Sequence, residues 1–267
     1  MMGGARETTT HGEAFAPVPL IIHQTWKTSE IPHHWQPHQQ SWQRQHPQWE
    51  YRLWTDADNR RLIEERYSWF LDTYDRFPRH IQRVDAAKYF ILYTHGGVYA
   101  DLDCECVKPL DPLIATGGAI VSHTRDNVID CALMASPPGH RLWLEVFEQL
   151  RRPTWATRLI RHIPGLQASH VLFSTGTRMM KRAVERYIGT GGTVPADGIT
   201  VCEASLFSSR SWLDRYRPFE TADTFVRHHY DDSWLSPGER RVHVWMTRRT
   251  GLAMLIAIVA TALLLLR

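Results

Sequence analysis

The sequence predicts an α/β domain, a mixed sheet flanked by helices, followed by one C-terminal transmembrane helix. Three observations carry that prediction. Short β-branched or alternating runs of strand length recur between segments with helical apolar spacing. One long helical segment, residues 80–95, stops at Gly96 and Gly97 and passes at once into the apolar run 98–103. Residues 251–266 read GLAMLIAIVATALLLL, without a charge.

Taken in order, residues 1–16 are small and polar with no apolar stretch, so they read as a disordered tail and not as a secretory signal. Residues 18–26 (VPLIIHQTW) form a buried strand. Pro32 and Pro37 separate it from a helix at 39–46. Residues 49–54 (WEYRLW) alternate as a half-buried strand does, and Thr55 and Asp56 supply N-cap chemistry for a helix through 58–66. After the helix at 80–95 and the strand at 98–103 come strands at 119–123 and 128–135. A helix from about residue 139 follows, with Trp143, Val146, Phe147 and Leu150 on one face. A further helix at 176–188 and a last strand at 224–230 complete the domain, which spans residues 17–240. Strands alternating with helices imply a sheet of mixed strand order.

Composition narrows the function. At roughly 150 residues per domain, 267 residues make about 1.8 domains. With 43% hydrophobic and 22% charged residues the chain is neither disordered, collagen-like nor a many-span membrane protein. A formal charge of +3 is too small to indicate nucleic acid as a partner. Four cysteines are too few for a disulfide framework, and Cys104 and Cys106 read as free thiols in or beside a strand. Core packing accounts for most of the 11 tryptophans. The 16-residue apolar run makes a helix of about 24 Å, short for a hydrocarbon core of about 30 Å. It follows Arg240, Arg241, Arg248 and Arg249, which places a membrane anchor at 250–267 and the domain on the cytoplasmic side.

The chemistry gathers around Asp101 and Asp103. Two residues apart on a strand, they point to the same face and can hold a hard divalent cation with open positions for phosphate oxygens. Two solvated loop aspartates are the alternative, disfavoured by the apolar strand and the Gly-Gly before them. Asp85 and Lys88 share a helix face; as a surface pair they contribute about 0.2–0.5 kcal/mol. As a functional pair, Asp85 accepts from sugar hydroxyls and Lys88 neutralises a diphosphate. Spacing leaves both readings open. His228 and His229 are adjacent, so on a strand only one of them can enter a site. Ser233 and Trp234 lie just beyond.

Several blocks then fall in order: IIHQTWK (21–27), Ser41-Trp42, EYRLW (50–54), IQRVDAAKYFILYTHGGVYADLD (81–103), STGTRMM (174–180) and HHYDDSW (228–234). Together they resemble the DxD-containing sugar transferases of glycosyltransferase family 32, over about residues 18–235. The compact layout is most similar to the branch that mannosylates inositol phosphoceramide. The resemblance implies a GT-A type, Rossmann-like fold and a nucleotide-sugar donor, GDP-mannose or a UDP-hexose. It also implies Mn²⁺ or Mg²⁺, and retention of anomeric configuration by front-face displacement. It places Asp101 and Asp103 on the metal and diphosphate motif, Asp85 at the donor sugar and Tyr99 at a donor contact. Asp85, Asp101 and Asp103 are then the catalytic set. Lys88, Tyr99, His228, His229 and Trp234 complete the donor site, with His229 as a further metal ligand. The membrane anchor favours a membrane-associated lipid or glycan as the acceptor, because tethering raises effective concentration at the bilayer.

Two departures stand out. Lys88 occupies a position where the family commonly has Arg, which keeps the charge but loses the bidentate fork. Fungal relatives work in the Golgi lumen, whereas the arginine pattern here favours the cytoplasmic side. Two other readings compete with the transferase. A two-metal phosphohydrolase needs a third carboxylate, for which Glu105 and Asp111 are candidates. An inert carbohydrate-binding module rests on tryptophan abundance alone.

Overall fold

Five buried residues, Ile21–Thr25 (β1), form the strand on which the sheet is built. The structure is a computed structural model and describes residues 15–163, 165–189, 197–208 and 220–241. After β1 come α1 (Gln36–Gln45), β2 (Glu50–Trp54), α2 (Asp56–Arg66), α3 (Ser68–Asp75), α4 (His80–His95) and β3 (Gly97–Ala100). Then follow β4 (Cys104–Cys106), α5 (Asp111–Ile114), β5 (Ala119–His123), β6 (Ile129–Ser136) and α6 (Leu142–Arg151). The remaining elements are α7 (Trp155–Ile160), α8 (Gln167–Ser174), α9 (Thr177–Ile188), β7 (Ile199–Cys202) and β8 (Val226–His228).

The main sheet has the order β2-β1-β3-β6-β5-β7. β1 runs parallel to β2 and β3, β6 is antiparallel to β3 and β5, and β7 is parallel to β5. The mixed order is the one the alternation of elements predicts. A separate antiparallel ribbon pairs β4 with β8, setting Cys104 opposite His228 and Cys106 opposite Val226. Successive strand residues alternate between two cores, as the two-residue period requires. Val98 and Ala100 face one core with Trp42 and Leu133, while Tyr99 faces the other with Phe90, Trp143 and Phe147. In that second core Phe90 of α4 stacks on Phe147 of α6, ring centroids 4.1 Å apart.

The junction between α4 and β3 depends on glycine. Gly96 and Gly97 have φ of +64° and +88°, and a Cβ on Gly97 would lie 2.4 Å from Ile21 Cγ2. His23 seals the same junction. Trp54 Nε1–H donates to His23 Nδ1 at 3.1 Å, so His23 carries its proton on Nε2 and donates it to the Gly96 carbonyl at 3.0 Å. One neutral imidazole thus ties β1, β2 and the α4–β3 turn together.

The structure departs from the sequence expectations at identifiable places. The strand expected at 98–103 ends at Ala100. Asp101 N–H donates to the Ala132 carbonyl, and the Cys104 N–H returns to Asp101 O at 3.0 Å, so residues 101–103 form a turn into β4. Pro37 sits within the first turn of α1, where its missing N–H costs nothing, instead of preceding the helix. Thr55 caps α2 through a reciprocal pair with Asp58. The short elements α3, α5, α7, α8 and β7 carry no strong periodic signal in the sequence. All four cysteines are free and buried, Cys104 and Cys106 on β4 as expected. The tail at 1–14 and the apolar segment of the anchor at 250–267 lie outside the described residues. Among the described residues no helix is long and apolar enough to cross a membrane.

Burial holds the pKa of His23 down to about 3, against 6.5 for a free imidazole. The unfolded chain therefore takes up a proton below pH 6.5 that the native chain refuses until about pH 3, so this group removes stability as pH falls through that window. Its share approaches about 1.4 kcal/mol per pH unit. Urea unfolding at pH 7 and pH 5 should show a smaller pH-dependent loss in His23→Gln than in the wild type; equal losses would refute the assignment.

Candidate active site

The turn after β3 delivers Asp101 and Asp103 to a cleft of about 510 Å³. α4 forms one wall with Val84, Asp85 and Lys88, and α8 forms another with Val171 and Leu172. Residues 228–234 cover the top, where Trp234 lines the rim beside Arg79. Arg79 Nη2 donates to the Trp234 carbonyl at 3.1 Å, and its guanidinium lies over the Trp234 ring. The same arginine pairs with Glu239, and Trp35 Nε1–H donates to Asp231. The C-terminal segment is thereby pinned across the opening.

At the centre is Lys88, 2% exposed, whose ammonium lies 2.9 Å from Asp85 Oδ1 and 3.9 Å from Asp101 Oδ1. The spacing of Asp85 and Lys88 allowed a surface pair; burial of both excludes it. Burial disfavours the lysine's charge, but Asp101 and Asp85 together outweigh that penalty and hold its pKa well above the ordinary value. Thr175 Oγ1–H donates to Asp85 Oδ2 at 2.8 Å, so each Asp85 oxygen is engaged. Tyr99, fully buried behind the turn, donates from its hydroxyl to Asp101 Oδ1 at 2.9 Å. With that proton committed, the Thr25 hydroxyl at 2.8 Å donates to the Tyr99 oxygen, completing a chain from β1 to Asp101.

Asp103 is held differently. Its Oδ2 accepts from the Asp231 N–H at 3.1 Å and lies 3.5 Å from His228 Nε2. Burial opposes its charge, but the His228 charge, the His228 side chain and the Asp231 amide together bring its pKa below the usual carboxylate range. The imidazole answers in kind. Burial works against protonation of His228, yet Asp103 and then Asp130, 3.8 Å away, raise it to about 10. The His228 ring stacks on Tyr230 at 3.7 Å. Asp101 moves the other way: burial, reinforced by Asp103, raises it to about 6 in spite of Lys88. The two aspartates of one motif therefore sit in unlike environments, both at the cleft.

Most of the residues singled out in the sequence converge here: Asp85, Lys88, Asp101, Asp103, His228 and Trp234 line the cleft, with Tyr99 directly behind. Their convergence has a different cause from the one expected, since the aspartates reach the cleft by a turn and not by strand alternation. His229, expected as a ligand of the same metal, is placed elsewhere. Its Nε2 meets Glu105 at 3.1 Å and its ring stacks on His38 at 4.0 Å, outside the cleft lining. His228 is the histidine that enters. Glu105 pairs with Arg227, and Asp111 is exposed beside His46, so neither serves as a third carboxylate in the cleft.

Sequence reasoning missed Thr25, Thr175 and Asp130. An acidic residue inside the apolar run VIDCALMA was a usable signal for Asp130, buried on β6 with Oδ1 accepting from the Ala132 N–H. The hydroxyls of Thr25 and Thr175 gave none beyond their presence in ordered blocks.

The family described as glycosyltransferase sugar-binding region containing DXD motif matches residues 32–118, a span that includes α4, β3 and both aspartates. Inositol phosphoceramide mannosyltransferase 3 of Schizosaccharomyces pombe is 44% identical over 161 residues, 60% of this chain and 43% of that one. Inositol phosphoceramide mannosyltransferase 1 of the same yeast is 30% identical over 257 residues, 95% of this chain and 73% of that one. The chain thus spans less than half of the first relative's length and nearly three quarters of the second's. Among solved structures, the PaToxG glycosyltransferase aligns with a TM-score of 0.45 at 14% identity, over 64% of this chain and 70% of that one.

Replacing Lys88 by Met leaves the buried Asp85 and the half-buried Asp101 without their cation, and stability should fall by about 3–5 kcal/mol in urea unfolding at pH 7. Adding Asp85→Asn to that variant should recover part of the loss. A loss below about 1 kcal/mol would mean that the pair is not what holds the cleft together.

Proposed function

The chain belongs to the DXD-containing glycosyltransferases of family 32, and on that premise we propose that it transfers a hexose, specifically mannose, from a nucleotide sugar to a membrane-associated acceptor. Inositol phosphoceramide or a related glycolipid is the acceptor class the relatives' names favour. One observation carries the reading. A buried lysine orders Asp85 and Asp101 at a single cleft into which Asp103 and His228 also open.

The mixed sheet, with a carboxylate pair in the turn after a central strand, supports a GT-A type domain. The donor set suits a divalent cation. Asp101 and Asp103 offer the hard carboxylate oxygens that Mn²⁺ or Mg²⁺ accepts, and His228 would join them as a ligand only on giving up its proton. When bound, such an ion supplies Lewis-acid stabilisation of the departing nucleoside diphosphate. The charges on Asp103 and His228 answer each other at 3.5 Å.

The protein's own groups do the rest. The anomeric carbon–oxygen bond of the donor breaks, and its electron pair leaves with the diphosphate. The acceptor hydroxyl forms the new bond on the same face and passes its proton to the departing phosphate oxygen. Asp85, held by Lys88 and Thr175, keeps a second lone pair on each oxygen for donor-sugar hydroxyls. Lys88 sets the local positive potential and positions both carboxylates. Thr25 and Tyr99 fix the direction of Asp101. Trp234 and Arg79 close the rim and exclude water, which strengthens every electrostatic contact beneath them. We assign no side chain as a covalent nucleophile. The apolar segment 251–266 would hold the domain at a membrane, on the cytoplasmic side by the arginine pattern before it.

The test is release of nucleoside diphosphate from GDP-mannose and from UDP-hexoses, with and without Mn²⁺. Asp103→Asn should lower metal-dependent turnover by about 100–1,000-fold or more, the size seen when one transition-state stabiliser is removed, with its unfolding transition intact. Wild-type turnover in that variant would overturn the metal and diphosphate assignment.

A further inference from the structure

We propose that α7 and its flanking arginines are a docking surface for an anionic phospholipid bilayer, seated beside the apolar wall of the cleft. The inference does not depend on sugar transfer and concerns a surface apart from the catalytic residues.

Charge along the chain is uneven. Residues 149–184 contain seven Lys and Arg and no Asp or Glu, whereas the other 231 residues hold 24 Lys and Arg against 28 Asp and Glu. A nearly neutral protein thus concentrates its positive charge in one segment. Within that segment α7 is anchored from below. Thr154 caps it through the Thr157 N–H, and Thr157 itself is buried. Trp155, Arg158 and Leu159 follow at positions i, i+3 and i+4, which places them on one face of α7, and His162 lies in the turn just beyond it. All four are exposed, Trp155 by 79% and Leu159 by 57%. These are the two most exposed large hydrophobic side chains among the described residues.

A single exposed leucine is ordinary, but a tryptophan and a leucine on one short basic face are not. Tryptophan prefers the headgroup level of a bilayer, and arginines beside it are attracted by anionic lipid. Arg152 already pairs with Glu148, and Arg151 lies over the Trp69 ring, so Arg158 and Arg161 are the charges that this face offers a bilayer. Their sign selects an anionic lipid surface over an acid-poor protein partner. The position also matters. α7 packs on α8, and α8 supplies Val171 and Leu172 to the cleft wall. Docking through α7 therefore brings the lipid phase to the side of the cleft that Val171 and Leu172 line.

The test uses the full chain with Leu159→Cys carrying an environment-sensitive NBD fluorophore. The four native cysteines are buried, so the new thiol takes the label. The probe reads local burial at α7 even if another segment holds the chain on a vesicle. Its emission should shift to the blue on vesicles of phosphatidylcholine with phosphatidylinositol, and not on phosphatidylcholine alone, and the shift should reverse at high salt. Arg158→Gln with Arg161→Gln should lower the docked-to-free ratio by about thirtyfold, the effect of removing two surface arginines. Equal shifts on neutral and anionic vesicles, no shift on either, or a shift on adding unlabelled chain without vesicles would each overturn the proposal. Should Leu159→Cys fail to fold, the same label at Trp155→Cys gives the same reading.

Discussion

The structure of the cleft depends on one buried ammonium. Lys88 is enclosed by protein and stands between Asp85 and Asp101, a helix carboxylate and a turn carboxylate from different parts of the chain. Removing two negative charges from water costs several kcal/mol each unless a cation and hydrogen bonds compensate them. Lys88, Thr175 and Tyr99 supply that compensation through an ion pair and hydrogen bonds to the carboxylate oxygens. The lysine's contact is to two separate carboxylate oxygens, and a compact point charge can address both.

Geometry upstream makes that meeting possible. The two glycines after α4 turn the chain within two residues, which sets β3 beside β1 and leads the chain through the buried Ala100 into the turn that carries Asp101. His23 locks the turn from below with a neutral ring. The ribbon of β4 and β8 does the corresponding work for the other carboxylate. Pairing Cys104 with His228 fixes which of two adjacent histidines faces Asp103, and the chain beyond β8 then crosses the opening to Arg79. Both halves of the site are therefore consequences of strand register.

Much of this could be read from the residues, though not always for the right reason. The helix at 80–95 with its glycine stop, the strand after it and the carboxylate motif were all legible, because periodicity and glycine act locally. The end of β3 was not legible. Asp101 through Asp103 alternate as a strand would, and it is the return hydrogen bond from the Cys104 N–H to the Asp101 carbonyl that makes them a turn. Asp85 and Lys88 show the limit most clearly. Their spacing is the same for a solvated pair and a buried one, and what separates the two is tertiary burial. The choice between His228 and His229 likewise needed a pairing register between strands more than a hundred residues apart. α7 escaped notice because its six residues are too few for a periodic signal.

The reading of the cleft as a cation-assisted diphosphate site rests on Asp101, Asp103 and His228 acting together on one ligand. Calorimetric titration of GDP into the full chain, with and without Mn²⁺, addresses that most directly. Coupling through a shared site predicts that Mn²⁺ tightens GDP binding by at least about tenfold and that GDP tightens Mn²⁺ binding by the same factor. GDP affinity that is indifferent to Mn²⁺ would contradict the account.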